Sequence, residues 1–300
     1  MYQALRAPRS TFVPIRTLQY HVQIWGEPAP DKTPLVMVHG WMDVAASYQF
    51  VVDALSAHHY VIAPDWRGFG KTQVDNTDHF VFADYLADLD FLLDHFAPGQ
   101  PVNLVGHSMG GNVVMAYAGV RPERIRRLIN LEGFGMPRTV PAQAPGRYAR
   151  WMDEIKELQQ GQRDLRTYSS LDGVAQRLMK TNPRLAPDKA TWLANHWAAQ
   201  NAQGQWVIKG HPAHKIASAA LYRADEAQEL FKRISAPVLS VVATESSMEQ
   251  WWKGTFTLDE YHERMKVVPQ LENAEVSNAG HMLHHDQPEQ VAALIERFIA

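Results

Sequence analysis

The chain has 300 residues, 46% of them apolar and 20% charged, which is enough hydrophobic material for a substantial buried core. A net charge of −3, from 29 basic and 32 acidic residues, gives no electrostatic case for binding nucleic acid or an anionic membrane. Cysteine is absent, which excludes disulfide scaffolds, thiolate nucleophiles and Cys-type zinc or iron–sulfur sites.

The segment Met1 to Arg9 has no apolar stretch of the kind a leader peptide carries, and no run approaches the roughly 18 apolar residues of a membrane span. A cytoplasmic location is the expectation. Thr11 to Gly26 alternates apolar and polar residues and predicts two antiparallel strands around Arg16-Thr17. Pro34 to His39 is a continuous apolar run, the pattern of a strand buried on both faces. Ala45 to Ala57 is helical in period, and Tyr60 to Ala63 is a second buried strand, ending in the turn Pro64 to Gly70. Asp78 to Phe96 predicts an amphipathic helix with Asp84, Asp88, Asp90 and Asp94 on a solvated face.

A third strand, Pro101 to Val105, leads into a helix from Ser108 to Val120, and Leu128 to Leu131 is a fourth strand. After Glu132 the alternation breaks into pieces of helical and loop character: Tyr148–Gln160, Leu171–Lys180, Asp188–Gln200 and His214–Arg233. It resumes with a strand at Pro237–Val242, a helix near Leu258–Lys266, a strand at Ala274–Val276 and a final helix, Gln287–Ile299. Regular strand–helix alternation implies an α/β fold with a mainly parallel sheet. The expected division is a core domain of residues 1–132 and 236–300, interrupted by a helical cap at 133–235.

The chemistry lies in Gly106-His107-Ser108-Met109-Gly110-Gly111. A G-x-S-x-G sequence between a buried strand and a helix predicts a nucleophile elbow, a turn so tight that only glycine fits at its flanks. The following helix aims its free N–H groups and positive dipole end at the serine. His39-Gly40-Trp41-Met42 closes an earlier strand, where the backbone N–H of Trp41 would join that of Met109 in an oxyanion hole.

With Asp65-x-Arg67-Gly68-x-Gly70 and Ala279-Gly280-His281 before the last helix, these motifs make the chain resemble the α/β-hydrolase superfamily over almost its whole length. The resemblance implies an eight-stranded, mostly parallel sheet with a cap over its C-terminal edge, Ser108 as nucleophile and His281 as general base. Serine at position 108, rather than aspartate, disfavours the haloalkane dehalogenase and epoxide hydrolase branches. His281 matches the family spacing to Pro288; His284 and His285 are expected to face the cap or solvent, and His107 to pack under the elbow. The pairs His281-x-x-His284-His285 and His211-x-x-His214 lack a carboxylate motif for a metal, so no metal and no cofactor is expected.

The family usually places its acid just after the strand that follows the cap, but Ala243-Thr244-Glu245-Ser246-Ser247-Met248 contains no Asp. Glu245 is the runner-up, one residue early, which would turn its side chain away. Glu132, at the end of the strand after the elbow helix, is the favoured acid; some members, including a group of small esterases, carry it there. Those esterases also have a serine at the place of Ser246, which joins the acid–histidine hydrogen bonding.

The expected reaction is acyl transfer on a carboxylic ester of small to medium apolar character, through an acyl-enzyme on Ser108. Carbon–carbon bond hydrolysis, lactone hydrolysis and perhydrolysis use the same triad, and a non-catalytic small-molecule receptor is the reading from another class. Nine tryptophans are present, and four of them, Trp151, Trp192, Trp197 and Trp206, fall in the expected cap together with Tyr148 and Tyr168. With Trp41, the expected pocket is Tyr148, Trp151, Trp192, Trp197 and Trp206, although each of the cap rings is equally well read as a staple between helices. A small-molecule ester is the expected partner; the sequence leaves the oligomeric state open.

Overall fold

The N-terminal alternation folds as a hairpin, β1 (Arg9–Ile15) against β2 (Leu18–Trp25), around a turn where Arg16 takes a φ of 52°. β1 is the sheet edge, where Pro14 removes no needed ladder bond. The computed structural model describes residues 2–30 and 32–300; Met1, the first residue of the segment read for a leader, and Asp31 lie outside them.

β3 (Leu35–Val38) is followed by a 3-10 turn (Ala45–Tyr48), α1 (Gln49–Ala54) and β4 (Val61–Pro64). Next come α2 (Phe82–Phe96), β5 (Val102–His107), α3 (Met109–Val120) and β6 (Ile125–Leu131). The chain then leaves the sheet for α4 (Ala144–Gln159), β7 (Thr167–Tyr168), α5 (Leu171–Thr181), α6 (Pro187–Trp197), β8 (Ala198–Gln200), β9 (Trp206–Ile208) and α7 (Ala224–Lys232). It returns with β10 (Val238–Ala243), α8 (Met248–Trp251), α9 (Leu258–Met265), β11 (Leu271–Val276), α10 (Leu283–Asp286) and α11 (Pro288–Ile299).

Among the described residues eight strands form one sheet in the order β1-β2-β4-β3-β5-β6-β10-β11. The pairs made by β2 are antiparallel, and all pairs from β4 onward to β11 are parallel. This is the mainly parallel sheet expected from the alternation, with the eight strands that the family resemblance implied. β3, β4, β5 and β10 are buried at every residue because helices cover both faces. On one face Tyr20, Trp66, Leu89, Val113 and Tyr117 pack with α2 and α3; on the other, Tyr48, Leu239, Val291 and Ile295 pack with α1 and α11.

Two expectations about local structure change. Asp88 is fully buried instead of solvated: it lies one turn after Tyr85 on the sheet-facing stripe. There its carboxylate accepts from Arg67 Nη2 at 2.8 Å, Arg16 Nη1 at 3.0 Å and the Tyr20 hydroxyl at 2.5 Å. The stretch between β6 and β10 also holds a small antiparallel sheet, β7-β9-β8, which helical period alone could not reveal because its strands are two or three residues long. α5 and α6 build a third apolar cluster that includes Val174, Leu178, Leu193 and, from α1, Phe50. α7, although part of the same stretch, lies against α3.

Candidate active site

The register of β5 and β6 does most of the positioning. His107 pairs with Leu131, so the next residues, Ser108 and Glu132, stand side by side beyond the C-terminal ends of adjacent strands. Ser108 N donates to Leu131 O at 2.8 Å, and Glu132 N donates to Val241 O at 3.0 Å. Both residues adopt positive φ, 52° at Ser108 and 56° at Glu132, strained values for residues with side chains. At the elbow, a Cβ on Gly106 would lie 2.3 Å from Gly110 O, and one on Gly110 would lie 2.4 Å from Val38 O, so both positions must be glycine.

His281 arrives on the loop after β11. The Ser108 hydroxyl donates to His281 Nε2 at 2.9 Å, and His281 Nδ1 donates to Glu132 Oε2 at 3.1 Å. Glu132 is 2% exposed, and its two oxygens also accept from Ala243 N at 2.8 Å and from the Ser246 hydroxyl at 2.9 Å. Three donors, the imidazole among them, therefore hold one buried carboxylate, as in a serine triad.

Glu245 is not brought to this site. Its side chain is half exposed and pairs with Arg184, and its backbone N–H donates to Ala279 O at 3.0 Å. Gly40 backs onto the nucleophile: a Cβ there would sit 3.0 Å from the Ser108 Cβ. The loop carrying Trp41 therefore runs against the start of α3, whose first N–H groups have no side-chain cap. The Trp41 ring is 52% exposed, with its indole N–H on His214 O at 3.2 Å. Trp251 stands edge-on to His281, ring centroids 4.4 Å apart, and is 46% exposed.

The other aromatic candidates disperse. Trp192 packs on Tyr2, Phe50 and His196, and Trp206 joins the same third cluster. Trp197 packs there too and donates its indole N–H to Asp43 at 3.0 Å. Trp151 lies edge-on to His79, and Tyr148 is exposed.

Histidines 284 and 285 turn inward instead of toward cap or solvent, at 0% and 4% exposure, because α10 folds under the base loop against the elbow and α1. His107 is buried as expected, and its Nε2 donates to the backbone carbonyl of His281 at 2.8 Å. Burial lowers its basicity strongly, and the neighbouring His284 and His281 lower it further. His214 is stacked between Phe69 and Phe80, ring centroids 3.7 Å apart, with Nε2 on Arg67 O; His211 accepts from Ala213 N. Asp65 of the Asp65-x-Arg67 motif spends its oxygens on Ala45 N, Lys71 N and His21. Sequence reasoning missed Asp43, whose only signal was its place four residues after His39 in the loop that follows β3.

A family model described as alpha/beta hydrolase fold matches residues 33–288. A serine hydrolase-like protein of Danio rerio is 23% identical over 98% of this chain and 89% of its own length. A 2-hydroxy-6-oxo-2,4-heptadienoate hydrolase of Pseudomonas putida is 38% identical over 106 residues, 34% of this chain and 38% of that protein. Among solved structures, the thioesterase domain from the curacin biosynthetic pathway superposes with a TM-score of 0.82, covering 97% of this chain and 99% of that one at 22% identity. With the family model covering most of its length, the chain belongs to the alpha/beta hydrolase fold family.

Proposed function

We propose that this hydrolase-family chain cleaves a carboxylic ester through an acyl-enzyme on Ser108. The observation that carries the reading is the unbroken hydrogen-bond chain from Ser108 through His281 to buried Glu132. His281 takes the hydroxyl proton as Ser108 attacks the carbonyl, then returns it to the leaving alcohol. Glu132, steadied by Ser246, keeps the imidazole oriented and stabilises its cation. The N–H groups of Trp41 and Met109 hold the oxyanion; losing one such donor costs about 3–4 kcal/mol of transition-state binding. The half-exposed face of Trp251 beside His281 favours an apolar substrate. Residues 133–235 act as the cap over this site.

A panel of p-nitrophenyl esters with graded acyl length, together with a fluorophosphonate label, tests the reading. Turnover with label on Ser108, both lost in Ser108→Ala, is the expected result; neither turnover nor label would remove it. Similarity to the 2-hydroxy-6-oxo-2,4-heptadienoate hydrolase favours a second reading, carbon–carbon bond hydrolysis of a hydroxy-oxo acid by the same residues. Labelling of Ser108 without turnover of any ester, and with hydrolysis of such an acid, would select it.

A further inference from the structure

Behind the Ser–His pair lies a second polar group that the proposed reaction does not use. Asp43 follows β3 in the oxyanion loop, His107 ends β5, and His284 lies in the first turn of α10, the short helix beyond the base loop. All three are buried, and one polar atom from each lies within 4.8 Å of the others. Asp43 Oδ1 is fully engaged, accepting from Val44 N at 2.8 Å, from the Ser47 hydroxyl and from Trp197 Nε1 at 3.0 Å. Its Oδ2 makes no hydrogen bond and faces His284 Nε2 at 3.6 Å, an ion-pair separation. The His107 ring stands between those of His281 and His284, centroids 4.8 and 4.3 Å apart. Thus one carboxylate joins its own turn after β3, the end of α6 through Trp197, and α10 through His284, and α10 begins two residues after His281.

We infer that Asp43 is a positioning residue: paired with His284, and with His107 bridging to the His281 carbonyl, it sets the base loop against the elbow and ties both to the inserted segment through Trp197. The inference rests on the Ser108 reading. The three donors on Oδ1 pin the carboxylate, so its remaining lone pairs aim at the base loop. Burial alone would raise the Asp43 carboxyl, but contact with His284 and the nearby His285 holds it well below the ordinary range, so it stays a charged anchor. A triad tolerates little displacement; a shift of about 1 Å in a reacting group can cost roughly a hundredfold. The Asp43 Oδ2–His284 Nε2 separation of 3.6 Å is that of a carboxylate–imidazole pair, the arrangement this inference takes the cluster to be.

The test uses the full chain with Asp43→Asn, His284→Gln, the double variant and Trp197→Phe. Ester kinetics, Ser108 labelling rate, thermal midpoint and the His281 ring resonances by NMR are read for each. Expected are a kcat about 10- to 100-fold lower in Asp43→Asn with KM within about twofold, a smaller kcat loss in Trp197→Phe, and a double variant no worse than Asp43→Asn. His281 resonances shift in every variant, whether or not an ester is turned over. Fold losses that multiply in the double variant, or a kcat that merely follows the folded fraction, would overturn the pairing. So would unmoved His281 resonances, or a stoichiometric transition metal in the purified protein that His284→Gln releases. If Asp43→Asn does not fold, unchanged kcat in both His284→Gln and Trp197→Phe is decisive against it. A wild-type protein that neither labels nor turns over removes the serine-hydrolase reading, while the His281 resonances still decide the junction.

Discussion

Two acidic residues compete for the triad, and their surroundings separate them. Glu132 is closed off from water and held by three hydrogen-bonding groups, whereas Glu245 is half exposed and spent on Arg184. Glu132→Gln should lower kcat by roughly 10³–10⁴-fold, because an amide no longer enforces the productive imidazole tautomer. Glu245→Gln should stay within about twofold, the usual consequence of altering an exposed pair. Steady-state kinetics on one ester checks both. Trp251, edge-on to His281, should contribute to substrate binding: Trp251→Ala is expected to raise KM for aryl esters about 2- to 10-fold, the range of one aromatic contact. Aliphatic esters of the same acyl group give the comparison. Glu132 was put forward because some members of the family the chain resembles carry the acid at the end of that strand, and Glu245 was already set second as one residue early; its pairing with Arg184 was not legible, since only the folded chain brings the two together.

At the scale of elements, strand–turn–helix order gave away the elbow because its tight turn is a local feature. Gly106 and Gly110 are forced by contacts within one turn and with the neighbouring β3. α2 shows the opposite case. Its apolar stripe was readable, yet one of its four acids sits on that stripe, and the cations that permit this come from Arg16 and Arg67, far away in sequence. Removing one member of a buried pair leaves an uncompensated charge, so Asp88→Ala should destabilise by ~3 kcal/mol or more. Urea unfolding measures that loss. The small β7-β9-β8 sheet escaped for a different reason: strands of two or three residues carry no period, and tertiary pairing alone makes them strands.

The whole molecule buries many imidazoles, and this gives its stability a pH dependence. Burial pushes His196 down to about 4, helped by Lys209 and Lys71, and pushes His214 and His285 down to about 3. Unfolding frees these rings to bind protons at their ordinary value near 6.5, so the unfolded state holds more protons below that pH. Stability is therefore complete above about pH 6.5 and declines as pH falls toward the depressed values, by about 1.4 kcal/mol per pH unit for each of the three rings. Urea midpoints taken at several values between about pH 7.5 and 4.5 should show this decline. His214→Phe, between two phenylalanine rings, should make it shallower.

The sequence by itself determined the order and kind of the main elements and the strand–turn–helix of the elbow, which follow from local periodicity and glycine placement, properties that neighbours along the chain dictate. It put forward His281 as base and Glu132, ahead of Glu245, as acid only through the family resemblance. Tertiary structure alone decided which polar groups are buried together. Asp43, His107 and His284 are separated by long stretches of chain, and they meet only because β3, β5 and the loop after β11 end at the same edge of the sheet. The tryptophans between β6 and β10 divide by the same logic: Trp192 and Trp206 stay in their own cluster and Trp197 reaches Asp43, an allocation set by how that segment packs on α1 and the loop after β3.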